Sequence, residues 1–520
     1  VEVSTTTSLN IFGARDVTGN LTINSDASIQ QGNNDFIIQG NFENFGTYSF
    51  VSDGANPLTV QGNFNNQSGA NFALSNTVGG DLDLKGNFTD NGTFTANGRA
   101  VFFTGSSLQT INATNPLTID FIIINTSNGA KVQMDQDLIL PNNLELTTGK
   151  LDLNGNVLTI SGDIRPNNGA GTIIGSTSGS TIVFDDQTTA RTLENGDFQN
   201  DEIANLTIDE SAGVTINTDL TIKENLDINA GKVLKVNSNI TNNGNITFKS
   251  ELDNSGTTPK SSKTAQLDEF SGSISGTGAV TVERFIPVQT NDTRAYRFLT
   301  STVDSNGSIF ANWQESGNTP TGFGTQITGD DSGTVPGFNA TTGIDYSNTG
   351  DPSMYSFDNS FTGSNQNNAW QAVTDTKAND LVAGEAYRIF IRGDRNYDLD
   401  AEPNTNDDFG PNSDVTLRAT GSLVTGDQLF SNLSEEQEFF SLVGNPYQAR
   451  VDITQVLDAT NSTNVNTNFY WIWDPNLDKP TGDGASGAYV AVDLSGGTTP
   501  GSSAANEFVQ PGQSFFVQTA

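Results

Sequence analysis

The sequence has neither cysteine nor histidine. That excludes thiol nucleophiles, Ser-His-Asp triads, histidine acid/base catalysis and any metal site built on Cys or His. Disulfides are excluded too, so stability has to come from a core, and no redox compartment is selected. Basic residues are scarce: 23 Lys and Arg stand against 60 Asp and Glu, a formal net charge of −37. A charge of that sign repels phosphate, which sets aside nucleic acid and anionic membrane surfaces as partners. No stretch of about 18 apolar residues exists, so no membrane span is expected. An initiator methionine and a signal peptide are both missing at Val1, which implies a processed or trimmed N-terminus.

What is abundant points to β structure. Glycine contributes 53 residues, strong helix formers are few, and Thr, Asn, Ser, Val and Ile recur throughout. One phrase returns three times as apolar-x-apolar-x-Gly-Asn-Phe: Phe36 to Phe42, Leu58 to Phe64 and Leu82 to Phe88. Two copies add a glycine six residues after the first and an aromatic eight after it, as Gly46 with Tyr48 and Gly92 with Phe94; the middle copy stretches this to Gly69 and Phe72. A weaker copy, Gly19-Asn20-Leu21, precedes them, and Gly19, Gly40, Gly62 and Gly86 are 21, 22 and 24 residues apart.

Alternation within short runs is incompatible with a helix face, which needs apolar residues three and four apart. A period in the low twenties fits one coil of a β-solenoid: about three short strands, stacked about 4.8 Å above the previous coil, with like residues in interior ladders. On this reading the glycines supply positive backbone angles at turns, the asparagines tolerate the same region while bonding locally, and Phe fills the layer. A second repeat has an offset of 82: Asp137 to Leu151 returns as Asp219 to Val233. At about 21 residues per coil, residues up to about 280 would make about 13 coils and a rod on the order of 60 Å.

The expected fold is all-β, an N-terminal β-solenoid (parallel β-helix-like) over residues 1–249 followed by an antiparallel β-sandwich region. Residues 250–280, poor in apolar side chains, read as a linker or cap. Residues 281–520 read as a β-sandwich domain or pair of domains, because all four tryptophans and every tyrosine but Tyr48 lie there while the short repeat stops.

This second half resembles a segment common in large surface and secreted proteins of the Bacteroidetes, found ahead of the C-terminal sorting domain of type IX secretion substrates. The matching blocks are Val282-Glu283-Arg284-Phe285-Ile286-Pro287, Arg294-Ala295-Tyr296-Arg297-Phe298-Leu299, Ala311-Asn312-Trp313-Gln314 and Gly322-Phe323-Gly324-Thr325. Further on come Thr416-Leu417-Arg418-Ala419-Thr420-Gly421, Leu442-Val443-Gly444-Asn445-Pro446-Tyr447 and Pro511-Gly512-Gln513-Ser514-Phe515-Phe516-Val517. The first half is similar to the adhesin-type repeats that precede this segment in such proteins. The resemblance implies export by the type IX secretion machinery and an extracellular or cell-surface location, on the outer face of the outer membrane. It implies no catalytic activity. The sorting domain expected after residue 520 is not in this sequence.

Three constellations bear on chemistry. The acidic loop Asp398, Asp400, Glu402, Asn404, Asn406, Asp407, Asp408, with Asp414 nearby, places oxygen ligands at alternate positions, as calcium requires. It is not an EF-hand, since Pro403 and Phe409 stand where the turn glycine and bidentate glutamate belong; a solvated acidic insertion is the alternative. Arg392-Gly393-Asp394 matches the tripeptide that integrins read and reads here as a turn with a local ion pair. Trp471 and Trp473, at strand spacing, share a face that is either core or a platform for stacking on glycan rings.

The bases of the solenoid half form no cluster that breaks the repeat, and Lys150 and Lys232 occupy equivalent repeat positions. The expected protein is therefore a non-enzymatic cell-surface or secreted structural or adhesive protein. A subunit of an extracellular filament or surface lattice, with possible self-assembly, is one alternative. A polysaccharide-binding or polysaccharide-cleaving β-helix protein is the other. Calcium is the sole cofactor considered, and the surface glycan or protein ligand is unnamed.

Overall fold

A computed structural model describes residues 1–4, 8–52, 54–166, 171–185, 188–256, 260–288, 295–305, 307–399, 413–477, 487–495 and 503–520. The chain is 47% strand and 3% helix, and its N-terminal part is a β-solenoid of about 11 turns followed by antiparallel sheets, as the alternating runs require. It divides into two units. The first comprises Val1–Asp227, Val233–Asn245 and Ser271–Gly278; the second comprises Ile228–Lys232, Ile246–Phe270 and Ala279–Ala520. Residues 250–280 are thus shared between units, and they carry strands of their own, Ser250–Leu252 pairing antiparallel with Ser262–Thr264.

Among the described residues of the first unit the coils stack in parallel, with register shifts at Ile124/Asn125 and Ile173/Gly175. One ladder runs Leu21, Phe42, Phe64, Phe88, Ile111, Met134. A second runs Phe36, Leu58, Leu82, Val101, Ile122, Leu144, Ile164. A third runs Leu9, Ile29, Tyr48, Phe72, Phe94. Strands such as Phe36–Ile38, Leu58–Val60 and Leu82–Leu84 bury their first and third residues and turn the middle one outward, the period of two that the sequence carries. Coil length varies about the 21 residues expected, with steps of 22, 24 and 23 along Phe42, Phe64, Phe88 and Ile111 and of 19 from Leu82 to Val101. The 82-residue repeat is structural: Leu138 and its equivalent Leu220 each pair with a residue 20 further on, Leu158 and Ile240.

Aromatic residues fill the first coils in two stacked columns. Phe64 lies between Phe42 and Phe88 with ring centroids 5.4 and 4.9 Å away, and Phe72 lies 4.8 Å from Tyr48 and 5.7 Å from Phe94. The columns meet edge to face, Phe64 to Phe72 at 4.8 Å, the arrangement that ring quadrupoles favour.

The Gly-Asn pair of each coil works differently from the sequence expectation. Gly40, Gly62 and Gly86 do not have positive φ; Gly69 is the one glycine of the phrase that does, at +83°. The others are required by close stacking, since a Cβ on Gly62 would run into Asn41 Oδ1 and the Gly40 carbonyl, and one on Gly86 into the Gly62 carbonyl. The asparagines bond between coils and not locally. Asn20 Oδ1 accepts from the Asn41 amide, Asn41 Oδ1 from Asn63 and Asn63 Oδ1 from Asn87, each at 2.9 Å. Strands only about 4.8 Å apart leave no room for a side chain where backbones cross, and an amide one coil up is the nearest donor.

The second unit contains two antiparallel four-stranded sheets. One orders Ala295–Leu299, Tyr387–Ile391, Met354–Phe357 and Trp370–Ala372; the other orders Phe440–Gly444, Ser514–Gln518, Phe469–Asp474 and Ala488–Asp493. Phe298, Ala386, Leu442 and Phe516 form a core between them, and Val443, Tyr470, Ile472, Val490 and Phe515 form another on the opposite face of the second sheet. A further antiparallel pair, Ala279–Ile286 with Val415–Leu423, sets Arg284 opposite Leu417.

Candidate functional site

The sequence blocks of the second half meet one another in space. Arg418 donates to both oxygens of Glu315, at 3.1 and 2.6 Å. Gln314, the Ile327 amide and Arg395 all donate to one oxygen of the buried Asp345, at 2.6, 2.7 and 2.6 Å. Burial pushes the Asp345 carboxyl up, against the Arg395 guanidinium, which holds it down. The Asn445 amide donates to the Gln513 carbonyl at 2.9 Å, and the Thr420 amide to Asn312 Oδ1 at 3.0 Å. Most of these residues are therefore joints between distant segments.

Arg392-Gly393-Asp394 is also a joint. Asp394 is buried and takes the amides of Gly322 and Asn396 at 2.6 and 3.0 Å, so its carboxylate serves backbone N–H groups and not a local arginine. Of the acidic loop, Asp398 and Asp414 are described and both are exposed, Asp414 accepting from the Val288 amide at 2.7 Å. Asp400, Glu402, Asn404, Asn406, Asp407 and Asp408 lie outside the described residues. Among the described residues no group of three or more acidic side chains is placed to hold a metal ion.

Trp471 and Trp473 share one face, as strand spacing requires, and both are partly buried against the core between the two sheets. Trp471 packs edge-on to Phe440 at 4.8 Å. Trp473 stacks on Phe298 at 5.9 Å and meets Tyr489 edge-on at 5.0 Å, and its indole N–H has no partner among the described residues. Of the two, Trp473 lines a cleft of about 550 Å³ within the second unit, and Trp471 does not.

The cleft reverses the charge of the chain. Among the described residues its charged lining is Lys260, Lys263, Arg284, Arg297 and Asp474, four cations to one anion, in a protein with 60 acidic and 23 basic residues. Arg284 donates to the Pro511 carbonyl at 3.3 Å; Arg297 donates to the Ala295 and Tyr296 carbonyls at 3.1 and 3.4 Å. Among the described residues neither meets a carboxylate at ion-pair distance, whereas Arg191, Arg395 and Arg418 each do, at 3.0, 2.6 and 2.6 Å. Both side chains keep part of their exposed area, yet burial pushes each guanidinium down to about 10; Asp474 partly offsets this at Arg297, and Arg284 adds to it. At neutral pH both remain charged donors, so what they offer is charge and hydrogen bonds.

Sequence reasoning passed over these arginines, though a signal was present. Val280, Val282 and Ile286 are the buried residues of their strand, and Arg284 shares their phase; Arg297 shares the phase of the buried Ala295 and Leu299, on a strand whose other face buries Phe298. A charge at an inward-phased strand position is the anomaly that marks them.

A second group missed from sequence lies inside the solenoid. Arg191 and Glu210, both buried, pair at 3.0 Å, and the Arg191 guanidinium sits 4.3 Å over the Phe184 ring. Burial pushes the nearby Asp197 up to about 6, against a hydrogen bond from the Glu194 amide. Comparison with family models, curated proteins and solved structures finds no match for this chain.

Proposed function

We propose that this is a non-enzymatic structural or adhesive protein of the cell surface or extracellular space, exported by type IX secretion, whose second unit carries a ligand-contacting cleft. The observation that carries the reading is the register of the first unit, in which successive coils repeat the same aromatic and asparagine ladders. Such a core serves length and stiffness, which suit display, and repeated weak contacts gain strength through effective concentration. The blocks of the second half support export through their resemblance to secreted proteins. Calcium at the acidic loop belongs to the same proposal.

Electron microscopy of the natively secreted protein, with and without a calcium chelator, tests it together with attachment of cells lacking the protein. Discrete particles and loss of attachment are expected. Ordered polymers would replace the adhesive reading with a filament or lattice subunit, and new reducing ends released from a polysaccharide would replace it with an enzyme.

A further inference from the structure

The cleft of the second unit is built as an anion site and not as a general groove. Two guanidiniums face it from different strands, Arg284 on Ala279–Ile286 and Arg297 on Ala295–Leu299. Arg284 lies close enough to Arg297 to lower it, and two like charges so placed are costly to hold unless something neutralises them. Elsewhere this chain neutralises such arginines internally, Arg395 with Asp345 and Arg418 with Glu315. Here Asp474 is the one acid in the lining among the described residues, and its two oxygens accept from Ser503 Oγ at 2.6 Å and the Asn476 amide at 2.9 Å. Lys263 is held by Glu251 at 2.8 Å. Arg284 and Arg297 thus donate to backbone carbonyls and, among the described residues, to no carboxylate, beside a Trp473 indole N–H that has no acceptor.

Ligand charge follows from the field of the whole molecule. A net charge of −37 repels a polyanion before it reaches the cleft, while one carboxylate is repelled weakly at range and gains charge-assisted hydrogen bonds on arrival. A flat body beside the carboxylate finds aromatic walls in Phe285, Trp473 and Phe508. We propose that this cleft binds a ligand through a single carboxylate, with Arg284 and Arg297 donating to its oxygens and the aromatic wall packing on its body. The inference gives ligand chemistry to the cleft named in the proposed function and rests on that reading for its biological role.

Calorimetric titration of the full chain with sodium benzoate and with sodium glucuronate at low ionic strength tests it, with benzyl alcohol and methyl glucoside as the uncharged counterparts. At least one carboxylate is expected to bind and its counterpart not. Binding of benzoate alone marks an aromatic acid, and of glucuronate alone a sugar acid. Affinity should fall several-fold between about 20 and 200 mM NaCl, as screening of a charge pair requires. Arg284→Gln and Arg297→Gln should each weaken binding about tenfold or more, on the scale of one charge-assisted hydrogen bond, at unchanged melting temperature. Should either variant fail to fold, the salt dependence and the charged-against-uncharged comparison on the native chain still decide. Absence of binding by both carboxylates up to about 50 mM, far weaker than a specific site, overturns the proposal, as does equal binding of the uncharged counterparts or of the Gln variants. Loss of surface attachment in cells is a separate readout, so the adhesive reading can fail while carboxylate binding stands.

Discussion

The two units reach stability by different routes. In the first, the ladder contacts are copies of a series: Phe64 repeats Phe42, Asn63 repeats Asn41, and Asn44, Asn66 and Asp90 pass a buried chain of hydrogen bonds at 2.8 and 2.7 Å from coil to coil. In the second, contacts are single and join segments far apart in the chain, as Glu315 and Arg418 do across 103 residues, or Gln314, Asp345 and Arg395 around one carboxylate. Repetition spreads energy over nearest neighbours, so a lost copy is felt by the coils on either side. A unique joint concentrates it, and its loss strands a buried partner.

The largest expected effects test that contrast directly. Arg395→Leu leaves Asp345 buried without its cation, and should cost about 3–5 kcal/mol in denaturant unfolding, with faster amide exchange at the segments around Gln314, Ile327 and Asp345 together. Phe64→Ala should cost a similar ~3–5 kcal/mol, but with exchange rising only in the coils that hold Phe42 and Phe88. If Phe64→Ala loosened every coil equally, the nearest-neighbour account of the solenoid would fail.

Asp197 sharpens the comparison by being an unrepeated feature inside the repeated unit. Its carboxyl is raised from 3.8 to about 6 in the folded chain, so the folded state holds the proton more tightly than the unfolded. Stability from this group is therefore fully present below the unfolded value and lost as pH rises through about 6. Asp197→Asn should stabilise the protein by up to about 3 kcal/mol at pH 7.5, taking ~1.4 kcal/mol for each tenfold change in proton affinity, and by nothing well below the unfolded value of 3.8. Equal melting temperatures of variant and parent at pH 7.5 would count against a buried charge there.

Glycine separates stacking from backbone angle. Gly62→Ala drives a methyl into the coil below and should cost about 3 kcal/mol; Gly69→Ala, at positive φ but with open space, should cost about 1 kcal/mol. The reverse order in thermal melts would restore the turn explanation. An equally small effect is expected at the partly buried Glu315–Arg418 pair, where Arg418→Met should cost about 1 kcal/mol and lose part of that cost at high salt.

How far the site was legible depended on the kind of signal. Period two put Trp471 and Trp473 on one face, but only the packing of Phe298, Phe440 and Tyr489 separated the indole that reaches the cleft from the one that does not. Arg284 and Arg297 stood in the sequence as letters in two matching blocks. Their inward phase was readable, while the absence of a carboxylate opposite them was not, because the residues that line the cleft come from segments more than two hundred positions apart.

By itself, the sequence determined the class of the protein: all-β, parallel coils of a little over twenty residues at first, antiparallel sheets after about residue 280. Periodicity and composition act locally, and local rules suffice to choose strand over helix and one coil length over another. Tertiary structure alone decided why glycine and asparagine stand where they do, since a neighbouring backbone 22 residues away sets the space and supplies the donor. It also decided which charges are spent on one another and which are left facing a cleft, because ion pairing depends on distance in space, which sequence separation does not report.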